Sequence, residues 1–145
     1  MTGRLARCAA DEDGAVLALT ALFLVGLVAL AGLVADGGLV FAARRDLQNV
    51  ADAAAAAGAM EVDEAAYRAS GGATVVLDAA AAEQAATASL MDEDGTDHAV
   101  SVTGARVEVE VVRQAPTAFL RVLGVEHVEI RARAVAEPRF GGGGP

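Results

Sequence analysis

Polar and apolar positions along the chain change character three times. From Ala15 to Ala35 there is a run of 21 residues without a charge. A helix rising about 1.5 Å per residue crosses the roughly 30 Å hydrocarbon core of a bilayer with this length. Twelve of these residues, from Val16 to Val34, are Leu, Val or Phe. Each contributes roughly −0.3 to −0.6 kcal/mol to membrane insertion. Asp36 closes the run at the edge, where a charge costs less than the roughly 3 kcal/mol of the bilayer centre. Core helices of soluble domains seldom carry more than about 10–14 such residues in sequence. The pattern predicts a transmembrane helix over 15–35, preceded by a short segment, residues 1–14, which is cytoplasmic where the C-terminal domain lies outside. Arg4 and Arg7 flank one end and Arg44 and Arg45 the other, so the positive-inside count sets no orientation.

The second regime is amphipathic. Gly37 and Gly38 each weaken a helix by about 1 kcal/mol relative to Ala and mark a candidate bend. Beyond them Leu39–Met60 reads as helix, with Leu47, Val50, Ala54 and Ala57 on one face. Gln48 and Asp52 have the i,i+4 spacing that permits a hydrogen bond. The expectation is a helical extension over 36–60 that continues the membrane helix as a stalk.

The third regime, residues 61–137, mixes periods. A looser stretch around Ser70, Gly71 and Gly72 is followed by an alanine-rich helix, Val76 to Met91, ended by the polar turn at residues 92–95. Val100 and Val102 alternate with polar neighbours, and Val107, Val109 and Val111 alternate with Arg106, Glu108 and Glu110. With Gly104 between them, the two segments read as a hairpin with one buried face. Pro116 to Leu123 reads as a short helix closed by Gly124. A last strand turns Val128, Ile130, Ala132 and Ala134 inward. The fold class expected is α+β: a long transmembrane helix and stalk, then a small domain of helix, hairpin, short helix and strand. The glycines of the tail, 138–145, have nothing to pack with and predict flexibility.

Charge and chemistry narrow the function. The net charge is −9, and all 11 basic residues are arginine. An acidic domain without a basic stripe repels a phosphate backbone, which argues against nucleic acid as a partner. Cys8 is the one cysteine, so no disulfide forms within the chain. The acidic turn at residues 92–97 places its glycine fourth, whereas a calcium loop of the EF-hand type needs it sixth. His98 and His127 fall on different strands, and two histidines alone fall short of the at least three protein ligands a zinc site normally needs. Ser70, Ser89 and Ser101 lack a nucleophile-elbow context, and neither a P-loop nor G-x-G-x-x-G occurs. No catalytic residue, metal site, cofactor or small-molecule substrate is expected, and the chain reads as a non-enzyme. Within the span Gly26, Ala29, Gly32 and Ala35 recur at spacings that let a second helix approach closely. Asp36 is either a hydrated interfacial carboxylate or an ion-pair partner for another protein's arginine.

One stretch resembles a known family. It begins Asp13-Gly14-Ala15-Val16, passes through Ala31-Gly32-Leu33-Val34-Ala35-Asp36-Gly37-Gly38, and includes Phe41 and Arg44. It then runs Leu47-Gln48-Asn49-Val50-Ala51-Asp52-Ala53-Ala54-Ala55 and closes on Ala57-Gly58-Ala59. These residues resemble the N-terminal segment of the TadE/TadG-like proteins of tight-adherence (Tad, Flp-type) pilus and secretion systems, with Arg44, Leu47, Gln48, Asn49 and Asp52 carrying the motif. Ala115 to Gly124 and the strand after it resemble the C-terminal end of the same proteins, more loosely. The resemblance implies a bacterial pseudopilin-like or pilus-assembly component, anchored in the cell membrane with its C-terminal domain outside. Its implied partners are the lipid bilayer and other pilin-like or Tad-system membrane proteins. Counting from Gly14, the fifth residue is Leu19, where prepilin-like members carry glutamate; this favours a TadG-like permanent anchor over a processed subunit.

A second function class stays open. Ala29-Leu30-Ala31 offers a signal-peptidase site behind a basic start, which would release a secreted or surface-exposed binding domain.

Overall fold

The computed structural model describes residues 3–91 and 93–138, with side chains from Gly14 onward. Cys8, Arg4, Arg7, Asp92 and the tail 139–145 therefore lie outside the described side chains, and with them the flexibility expected of the tail. The chain divides into two compact units, Met1–Leu39 with Thr117–Glu126, and Val40–Pro116 with His127–Pro145.

One helix, α1 (Gly3–Gly58), carries the first two regimes of the sequence. Its helical hydrogen-bonding pattern runs through Gly37 and Gly38 without interruption. Within Gly14–Gly58 its most apolar 18 residues have a mean hydropathy of 2.7 and none of that window is buried. Leu17, Leu22 and Phe23 are 73%, 71% and 66% exposed. An apolar helix with no protein cover is suited to lipid rather than to water.

The second unit is a three-stranded antiparallel sheet with helices on one face. Strands β1 (Thr96–Thr103), β2 (Arg106–Pro116) and β3 (His127–Ala136) lie in the order β1-β2-β3. Thr103 pairs with Arg106 across the turn Gly104–Ala105. Gly104 has φ 63°, and a leading glycine followed by a residue of negative φ is the II′ pattern that suits the twist of a hairpin. Val107, Val109 and Val111 are fully buried, and Ala132 and Ala134 join them from β3. Alternation at period two thus turns one face to the core, as the sequence pattern requires. The opposite face carries diagonal ion pairs, Arg133 with Glu108 at 2.5 Å and Arg131 with Glu110 at 3.6 Å.

The covering layer is the distal half of α1 together with α3 (Ala79–Leu90). Leu47, Ala51, Ala54 and Ala55 are buried to 1% exposure or less, and Ala82, Ala86 and Leu90 line α3 at i,i+4 spacing. The stalk half of the helix is therefore also the packed helix of the domain. Alanine is what permits it: small side chains let helices approach closely. At Gly58 an added Cβ would lie 2.8 Å from the Ala82 carbonyl oxygen and 3.1 Å from a Val107 methyl.

Three local expectations are corrected. The alanine-rich helix begins at Ala79, not Val76, because Asp78 caps it, accepting from Ala80 and Ala81 N–H at 3.1 Å each. Residues before the cap are extended, with Leu77 bridged to Val62. The looser stretch contains a short helix, α2 (Glu64–Ala69), capped by Asp63, which accepts from Ala66 N–H at 2.9 Å. Pro116 ends β2 opposite His127 rather than opening a helix. A proline lacks the N–H that a continuing ladder needs, and only Leu120–Leu123 forms a 3-10 turn.

Two substitutions test this packing. Leu47→Ala should lower domain stability by about 2–5 kcal/mol through a core cavity. Gly58→Ala should lower it by about 1–3 kcal/mol through overpacking against backbone. Chemical denaturation followed by far-UV circular dichroism measures both.

Candidate functional site

A carboxylate at the end of an apolar helix has few partners unless water or backbone supplies them. Asp36 uses backbone. Its side chain is 1% exposed, and the N–H groups of three successive residues donate to it. Ala118 N–H reaches Oδ1 at 2.8 Å, Phe119 N–H spans both oxygens at 3.0 and 2.9 Å, and Leu120 N–H reaches Oδ2 at 2.6 Å. Successive amides at the start of a helical turn form a concave donor set suited to an anion. The carboxylate is thus the cap of the Leu120–Leu123 turn, delivered from a different part of the chain.

Neither sequence alternative for Asp36, hydrated or paired with another protein's arginine, matches this placement. Hydrogen bonding favours the ionised form: the Leu120 amide first, then those of Phe119 and Ala118, hold the carboxyl below its ordinary 3.8, while burial works the other way.

The segment that supplies these amides is closed on itself. Thr117 N–H donates to the Glu126 carbonyl at 3.0 Å, and its hydroxyl faces the Glu126 carbonyl at 3.1 Å and the Val125 carbonyl more closely. Gly124 is left-handed at φ 89° and its N–H returns to the turn. One turn before Asp36, the Phe119 ring covers Gly32; a Cβ at Gly32 would overlap the ring atoms. Gly32 and Asp36 are therefore engaged by the chain's own Thr117–Glu126 segment. Gly26, Ala29 and Ala35 stay exposed, and a Cβ at Gly26 would meet nothing within 4 Å.

The motif residues of the second unit separate by role. Leu47 is core. Gln48 Nε2 donates to Asp52 Oδ1 at 3.1 Å and to the Arg133 carbonyl at 3.0 Å, tying α1 to the edge strand β3. Arg44, Asn49 and Asp52 are exposed. Asp46 and Glu93 share Arg113, at 3.2 and 2.5 Å, so Glu93 of the acidic turn serves an ion pair. His98 sits on β1 opposite Val111 and His127 at the start of β3 opposite Pro116, so the central strand separates them. No group of three or more His, Cys, Asp or Glu suited to a metal occurs among the described residues.

Comparison with known families finds one likeness, and it lies on this helix. Residues 14–61 match the family described as "Putative Flp pilus-assembly TadE/G-like". The helix is similar to a TadE/G-like segment. The match takes in the apolar span, Asp36, the Gln48–Asp52 pair and Gly58, about a third of the chain. No curated protein and no solved structure matches the chain.

The clasp should be sensitive to substitution and to acid. In Asp36→Ala, hydrogen–deuterium exchange at Ala118, Phe119 and Leu120 should rise sharply while β2 amides keep their protection. The sign of the pH effect follows from a depressed folded-state pKa. Stabilisation is present above the ordinary value of 3.8 and is lost as pH falls through the folded value. Protection of the three amides, taken relative to intrinsic exchange at each pH, should therefore fall below the ordinary value in the wild type and show no such step in Asp36→Ala.

Proposed function

We propose that the protein is a single-pass, membrane-anchored assembly component of a bacterial Tad (Flp) pilus or related secretion system, acting through helix packing and protein contacts. The observation that carries the proposal is the TadE/G-like match lying on an unburied apolar helix. The C-terminal domain faces the extracytoplasmic side, the orientation implied by the family resemblance. Partner helices of other Tad-system membrane proteins pack on the small-residue positions left open, Gly26, Ala29 and Ala35. The helix stays attached, in the manner of a TadG-like anchor, because Leu19 stands where prepilin-like members carry glutamate.

Two features support a scaffolding role over a chemical one. The amide donors of residues 118–120 are filled by the chain's own Asp36 carboxylate. The two histidines stand on opposite outer strands.

Alkaline carbonate extraction of cells expressing the full chain should leave it in the membrane pellet at full length, and protease added to spheroplasts should degrade its C-terminal domain. A shortened soluble form in the medium would instead establish a released binding domain. Gly26→Leu should reduce co-purification of Tad-system membrane proteins several-fold without altering membrane insertion, since a bulky side chain blocks close helix approach. Unchanged co-purification would remove Gly26 from the contact.

A further inference from the structure

The Thr117–Glu126 segment exposes more aliphatic surface than its size explains. Val122 is 81% exposed, Leu123 72% and Val125 42%. Its level along the helix is fixed within the same unit: Phe119 lies on Gly32 and its neighbours bind Asp36. Gly32 is three residues inside the end of the charge-free run, about 5 Å along the helix axis. On the helix itself Leu30, Leu33 and Val34 are 59%, 53% and 68% exposed, so apolar surface is present on both elements of this unit.

The backbone is prepared for a medium that offers few hydrogen bonds. The N–H groups of residues 118–120 are taken by Asp36, Val122 N–H by Phe119, Gly124 N–H by Arg121 and Val125 N–H by Leu120. Pairing these donors removes the main penalty for placing irregular backbone against lipid. The one cation of the turn, Arg121, is exposed beside the two aliphatic residues. A long stem with a charged head suits a position between acyl chains and lipid phosphates.

We propose that the Leu120–Leu123 turn is a second membrane contact, in which Val122 and Leu123 enter the interfacial layer of the bilayer and Arg121 meets the lipid phosphates. The proposal rests on the anchor reading above. The helix spans, and the turn clasped to it lies in the interface and fixes the height of the helix.

The test uses the full chain in vesicles of phosphatidylcholine and phosphatidylglycerol, in a Cys8→Ser background. A single cysteine at Leu24→Cys or Leu123→Cys carries an environment-sensitive fluorophore, and the lipids carry bromine either near the headgroup or at the chain ends. The Leu24→Cys label should be quenched most by chain-end bromine. The Leu123→Cys label should lose about half or more of its emission to bromine near the headgroup, as expected for a shallow interfacial contact. Quenching at Leu24→Cys with none at Leu123→Cys overturns the proposal and leaves the anchor intact. Quenching at neither overturns both. A Leu123→Cys label shielded from aqueous iodide but untouched by brominated lipid marks a protein contact, such as a second copy, and likewise overturns it.

Discussion

Three backbone N–H groups point at one carboxylate, and the arrangement of the first unit depends on it. Asp36 stands where a charge-free helix surface gives way to polar sequence. Without donors, an ionised carboxyl so thoroughly covered would take up a proton or break the packing around it. The amides of Ala118, Phe119 and Leu120 are a turn's own unsatisfied donors, and they would carry a comparable penalty if covered without an acceptor. Each partner resolves the other's problem, which is why residues 82 to 84 positions apart are held together.

The glycine one turn earlier completes the arrangement. Gly32 provides the flat site on which Phe119 rests, and any side chain there would occupy the ring's space. Small residues along a membrane helix are commonly read as a surface for other helices. Here one of the four positions serves an internal contact, and Gly26, Ala29 and Ala35 stay exposed. The helix thus divides its length between an exposed apolar portion, a clasped portion, and, from Val40 onward, a portion that contributes to the core of the second unit.

Much of this was legible from residues alone. The charge-free run, the strand alternation at Val107–Val111 and Ile130–Ala134, the hairpin glycine and the Gln48–Asp52 pair each follow from local period or spacing. The family resemblance lay in the stretch that residues 14–61 now match. What could not be read was tertiary. An aspartate after an apolar run looks the same whether it meets water or amides, and nothing local to Asp36 names its partners. The boundary errors have similar causes. Val76 and Leu77 have helical neighbours but are drawn into a bridge with Val62, and Pro116 is held at the end of a ladder.

Ionisation of Asp36 inside its amide nest is the claim on which the rest turns. Carbon-detected NMR of the side-chain carboxyl, in the full chain reconstituted in nanodiscs, measures it directly. The account predicts a titration midpoint below the ordinary aspartate value of 3.8, with the amide protons of Ala118, Phe119 and Leu120 shifting at the same midpoint. A midpoint at or above the ordinary value, with the three amides indifferent to it, would contradict the account.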